Sequence, residues 1–172
     1  MALCFGLVVN FGDDIEAAQA AALVDPVPWA LRAGPHRIPL HRPMLRKVGR
    51  HVELSLLPVG VGWGCSMDGS IPRIQLGAAE LTELAHQLYG LLRQFRGYLA
   101  AKVGWDPEEL VDHDELRSEW SDQVKAGGLH GLVLCDELHA EFDPDADYEV
   151  FQPGYRWVPY RGEQPSDLPA GR

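Results

Sequence analysis

Five short stretches hold residue types that could do chemistry. Gly60-Val61-Gly62-Trp63-Gly64 is glycine-dense in the way a phosphate cradle is. A dinucleotide site would need a helix to follow, so that its N-terminus holds the pyrophosphate. Ser66-Met67-Asp68-Gly69-Ser70 and Pro72 follow instead, which is turn chemistry, and no P-loop lysine is present. The stretch predicts a bulged hairpin. Cys65-Ser66-Met67-Asp68 narrowly misses a nucleophile elbow, because Asp68 stands where the second glycine belongs. Cys65 could still act as a nucleophile with a histidine supplied by the fold; a small buried thiol is the plainer expectation.

Asp143, Asp145, Asp147 and Glu149 alternate as DxDxDxE. The three aspartates match the first ligands of a calcium loop. Tyr148 occupies the position of the turn glycine, and Gly154 that of the bidentate glutamate. Calcium is therefore not expected there. Asp112-His113-Asp114 and His139-Ala140-Glu141-Phe142-Asp143 each offer a few ligands without a diagnostic metal spacing. No catalytic residue, metal or cofactor is assigned from these patterns.

Charge is more informative than motif. The 172 residues carry a formal net charge of −10, with a pI near 5.0. Nucleic-acid affinity rests on lysines and arginines that displace counterions, so a nucleic-acid partner is not expected. Acid is concentrated in two blocks. The first runs from Asp106 to Asp122 with Arg117 as its one strong cation; the second, Asp136 to Glu149, has no lysine or arginine. Between Pro26 and Val52 the pattern inverts: no acid, but Arg32, Arg37, Arg42, Arg46, Lys47 and Arg50. That basic segment could pack on the acidic face or bind a ligand.

These groups need elements to position them. Leu3 to Asn10 is compact and apolar, as a buried strand would be. Asp13 or Asp14 can cap a helix over Ile15 to Leu23, and prolines from Pro26 to Pro43 then impose extended connection. Val52–Leu57 and Ile71–Leu76 read as strands. Leu81, Leu84, Ala85, Leu88, Leu91, Leu92, Phe95, Tyr98 and Leu99 recur at steps of three and four. This predicts one long amphipathic helix over 78–101. Gly90 and Gly97, on its other side, suggest a close neighbour. Asp106-Pro107 and Asp112 resemble helix starts, Gly127-Gly128 a helix stop, and Leu129–Leu138 a central strand. Pro153-Gly154 is a turn pair and predicts a C-terminal hairpin carrying Tyr148, Phe151, Tyr155, Trp157 and Tyr160.

The expectation is a single α+β domain over 1–162, with a mixed or antiparallel sheet and a flexible tail over 163–172. Three cysteines without CxxC spacing, and an N-terminus lacking a basic flank, suggest a reduced cytoplasmic protein. No run is long enough to suggest a membrane span. The functional expectation is a protein that binds and neutralises a basic protein partner, as a bacterial immunity or antidote protein does. The expected partner-binding residues are Asp143, Asp145, Asp147 and Glu149, with Tyr148, Tyr155 and Trp157 as aromatic anchors. The alternative is a small enzyme or ligand-binding protein. Its pocket would be shared by the glycine-rich turn, the basic proline-rich segment and the C-terminal aromatics.

Overall fold

The structure, a computed structural model, describes residues 2–24 and 30–165. Its frame is one seven-stranded antiparallel sheet. The strands are β1 (Phe5–Asn10), β4 (Met44–Val48), β5 (His51–Leu56), β6 (Ala100–Trp105), β7 (Leu132–Cys135), β8 (Glu149–Gln152) and β9 (Tyr155–Trp157). Their order is β4-β5-β1-β6-β7-β9-β8. A separate hairpin joins β2 (Leu31–Ala33) to β3 (His36–Ile38). The helices are α1 (Ile15–Ala22), α2 (Ala78–Leu92), α3 (His113–Ser118), α4 (Ser121–Ala126) and α5 (Asp136–Phe142). The α+β expectation is met, and the molecule forms a single compact domain.

Every residue of β1 is buried, because both sheet faces are covered. Strand residues alternate sides. Leu7, Val9, Leu54, Leu56, Ala101, Val103 and Val133 therefore meet α2, which contributes Leu81, Leu84, Leu88, Tyr89 and Leu92. Val8, Ala100, Leu132 and Leu134 face the opposite way. There they meet Leu116 of α3, Val124 of α4, and Leu138 and Phe142 of α5. The acidic segments thus form the second cover of the sheet. Asp112 caps α3 as expected, its carboxylate accepting from the Asp114 and Glu115 N–H groups.

The long helix is shorter than its periodicity predicts. It ends at Leu92, and by Ala100 the chain is strand. Phe95 and Tyr98 still enter the core, from a turn rather than a helix. Gly97 makes that turn at φ 77, a left-handed conformation suited to glycine. The space beside Gly90 is open, so its lack of a side chain serves no close neighbour among the described residues. The strand expected over Ile71–Leu76 is irregular chain instead, tied down by Ile74 N–H donating to Gly60 O. Gly60–Gly64 is a loop rather than a hairpin: Trp63 pairs with Leu3, not with the chain just after it. Leu129–Leu138 divides, the strand stopping at Cys135 and α5 beginning at once. The C-terminal hairpin forms as expected, turning at Pro153-Gly154. The expected tail lies outside the described residues from 166 onward.

Candidate functional site

The two acidic blocks, separate in sequence, meet on one side of the molecule. Glu141 of α5 is the junction. Its carboxylate accepts from Arg117 of α3, with Nε at 2.8 Å, and contacts His113 Nε2 at 3.1 Å. These contacts, Arg117 first, hold the Glu141 carboxyl below its ordinary pKa. Asp114, Glu119 and Asp122 are exposed on α3 and α4; Asp136, Glu137, Asp143, Asp145, Asp147 and Glu149 are exposed on α5 and the chain beyond it. Arg117, Lys125 and Arg156 are the cations close by, and Arg156 approaches Asp136 at 3.7 Å.

Asp143, Asp145 and Asp147 stand together in the α5–β8 loop. Asp143 closes α5 in a left-handed conformation, φ 46, which aspartate tolerates better than most residues. Tyr148 is a different case from the exposed anchor that was expected. It is buried beneath the loop, and its hydroxyl donates to Val124 O at 2.6 Å. Burial raises its pKa to about 12. Tyr148 therefore pins the acidic loop to α4.

Tyr155 and Trp157 point to the α2 side. Tyr155 stacks on Tyr98 with ring centroids 4.1 Å apart, and its hydroxyl donates to Tyr98 O. Trp157 packs edge-on to Tyr89 at 4.7 Å, beside Phe151 and under the Arg93 guanidinium. Glu149 is directly across from Trp157 in the ladder. The sheet thus separates Trp157 from the acidic helices, while Tyr155, at the end of β9, borders both layers and is close to Glu137 of α5. The half-buried aromatic on the helical side is Trp120, placed between the exposed Glu119 and Asp122. In the sequence Trp120 shares a helical face with Leu116 and Val124, which hid it among core residues.

The basic segment does not lie along the acidic helices. Strand β4 is an edge of the sheet, with β8 at the other edge. Arg46 ties β4 to the start of the first acidic block, reaching Glu108 at 3.2 Å and the buried Glu53 of β5 at 3.4 Å. His51 meets Glu53 at 2.7 Å and approaches Asp112 at 3.8 Å. This order also separates the C-terminal aromatics from the basic strand of the alternative pocket. The C-terminal aromatics are in the strands nearest one edge, and the basic strand is the other edge. His41 of the proline-rich segment does reach the glycine-rich turn, where Asp68 Oδ1 meets it at 2.7 Å and accepts from Gly60 N–H at 2.9 Å. The neighbour of the Cys65 thiol is the Cys4 thiol, close enough to hydrogen-bond.

Sequence reasoning missed a second feature altogether. Lys102 is in the middle of β6, in register with Val8 and Leu132, so it points to the helical side. It is only 7% exposed and makes no hydrogen bond or ion pair with a described residue. Burial lowers its pKa to about 8, with Glu163 opposing that shift. The ammonium lies over Gly104, where a Cβ would be 3.0 Å from Nζ. It lines a cleft of about 240 Å³ with Trp105, Leu110, Leu129, His130, Tyr160 and Glu163 among its walls. A lone cation inside the apolar run Tyr98–Val103 was the available signal, but the helix expected over 78–101 ends just before Lys102 and no strand is expected there.

Among the described residues, no three His, Cys, Asp or Glu side chains converge as metal ligands, and no helix is long and apolar enough to cross a membrane. The chain shows no significant match to any protein-family description, curated protein or solved structure.

Proposed function

We propose that this protein acts in the cytoplasm by binding a basic surface on another protein, in the manner of an immunity or antidote protein. The observation that supports this reading is the merging of two sequence-distant acidic blocks into one exposed helical layer, joined at Glu141. Asp114, Glu119, Asp122, Asp143, Asp145 and Asp147 form no ion pair with a described residue, so their field is directed outward. Such a field raises association rates with a basic partner and repels acidic ones. Asp143, Asp145 and Asp147 steer; Glu149, opposite Trp157 in the ladder, is on the other face of the sheet and stands outside this layer. Trp120 supplies the aromatic anchor that interfaces commonly place near their centre. Tyr148 contributes by holding the loop, and Tyr155 and Trp157 by fixing the hairpin behind it.

The test is capture of binding proteins from the native host at low salt, followed by surface kinetics on the recovered protein. Converting Asp143, Asp145 and Asp147 to asparagine should slow association by roughly tenfold at low salt and flatten its salt dependence. Trp120→Ala should instead speed dissociation, by an amount worth at least about 2 kcal/mol for a hot spot. If the recovered protein associates equally fast with the triple variant, the acidic layer is not the docking face.

A further inference from the structure

The cleft around Lys102 is a second, chemically different feature. Its walls combine an apolar body with polar groups at one end. Leu110, Leu129 and the ring of Tyr160 form the apolar part. The Lys102 ammonium lies at the buried end, over Gly104 and beside the Tyr160 ring. The Trp105 indole N–H is buried there without a well-formed hydrogen bond, next to the Tyr160 hydroxyl. That hydroxyl is itself committed, donating to Glu163 O.

Lys102 has no direct partner in the cleft among the described residues. Glu163 is the acid present, and it already has partners: its carboxylate pairs with His130 and accepts from Arg161 N–H at 2.9 Å. Those hydrogen bonds outweigh the effect of burial and keep the Glu163 carboxyl below its ordinary pKa. Glu163 acts on the Lys102 cation through space, opposing its loss of charge, but no hydrogen bond or ion pair joins the two. Two donors without well-formed acceptors therefore line one small cavity. Burying an unpaired ammonium is costly, and a protein surface relieves that cost when an anion arrives.

We infer that this cleft is a binding site for a small monocarboxylate, whose oxygens accept from Lys102 Nζ and the Trp105 indole N–H while its apolar body rests on Leu110, Leu129 and Tyr160. A carboxylate suits the site better than a phosphate, since the donors are few and the remaining walls are apolar. The volume accommodates roughly eight to nine non-hydrogen atoms, taking a water-sized share of about 30 Å³ for each. Benzoate has that size and is the probe of choice.

Binding and protonation are linked at this site. The groups facing the ligand are Lys102, His130, Glu163, Tyr160 and Trp105, and Lys102 is the one that loses its charge just above neutral pH, at about 8. Benzoate affinity should therefore fall as the pH rises past about 8, and bound benzoate should move the lysine titration upward.

The experiment is a benzoate titration of the full chain followed by NMR, reading the Trp105 indole N–H and the Lys102 ammonium, with benzyl alcohol as the uncharged counterpart. The expected result is a saturable shift of the indole resonance at millimolar benzoate, with benzyl alcohol at least about tenfold weaker. Lys102→Met should weaken benzoate at least about tenfold and abolish the pH dependence. This variant removes a buried charge and should fold at least as well as the parent, which its melting temperature checks directly. Trp105→Phe should weaken benzoate while leaving the pH dependence in place. The inference fails if benzoate produces no saturable shift, if Lys102→Met binds it equally well, or if sodium chloride at the same ionic strength gives the same response.

Discussion

Lys102→Met should make the protein more stable at neutral pH. The lysine titrates at about 8 in the fold, against an ordinary value of 10.5. That difference of about 2.5 units corresponds to roughly 3 kcal/mol, at about 1.36 kcal/mol per unit. The cause is loss of hydration at a site with no partner for the ammonium, and methionine keeps the length of the stem without the charge. Below pH 8 both folded and unfolded chains hold the proton, so the full cost is present. Between about 8 and 10.5 the unfolded chain still holds it while the folded chain has released it, and stability rises with pH. The advantage of the variant should therefore be about 3 kcal/mol at pH 7 and shrink toward zero by about pH 10.5. Buried tyrosines such as Tyr89 and Tyr98, whose pKa values burial raises, impose an opposite trend in alkali. They are common to both proteins and cancel in the difference. Urea unfolding of both proteins at several pH values between 6 and 10 measures it, and near neutrality the melting temperature should rise by roughly 6–12 °C. A destabilised variant, or an advantage that does not change with pH, would refute this account of Lys102.

Three further outcomes follow from the packing. Leu88 is fully buried between α2 and the sheet, so Leu88→Ala should cost about 2–5 kcal/mol in chemical denaturation. Tyr148→Phe removes the closer of two donors to Val124 O, Gly127 N–H at 3.2 Å being the other, and should cost about 1 kcal/mol, with faster amide exchange across the acidic loop. Gly97→Ala forces an L side chain into φ 77 and brings its Cβ within 3.3 Å of Ala17 and Asp14; thermal unfolding should show a loss of at least about 1 kcal/mol.

Much of the frame was legible because local chemistry and global fold agree there. Pro153-Gly154 can do little except turn, and a hairpin stands around it. Asp112 is followed by acids suited to a helix start, and it caps α3. Residues 93–101 were misread because two structures share one pattern. Phe95, Tyr98 and Leu99 continue the spacing of α2, yet a turn and a strand bury Phe95 and Tyr98 equally well. Periodicity records which side chains seek the core, not the backbone that takes them there. The error hid Lys102 as well, since a helix ending at Ala101 leaves it just past the end, where a cation is ordinary. The acidic blocks were plain in the composition, but their meeting depends on α3 and α5 covering the same side of the sheet. The order of strands fixes that, and strand order is a long-range property. The same order sends Trp157 to the far side from the carboxylates that neighbour it in sequence.

An antiparallel sheet that does not close leaves two strands with half of their backbone hydrogen-bonding groups unused. Here those strands are β4 and β8. Such borders invite another chain to add itself, and fibre growth begins in this way. Each border carries a deterrent. The central residues of β4 include Arg46 and Lys47, whose charges would be stacked on their like in a growing assembly. β8 is short, its register slips between Val150 and Gln152, and Pro153 follows immediately. Val150, 66% exposed, is the apolar weak point of that border. A protein whose helical face carries so much uncompensated charge gains solubility from that face, but its borders are guarded by separate means. Removing the Lys47 charge would therefore be felt first in shelf life at high concentration, before any change in melting temperature.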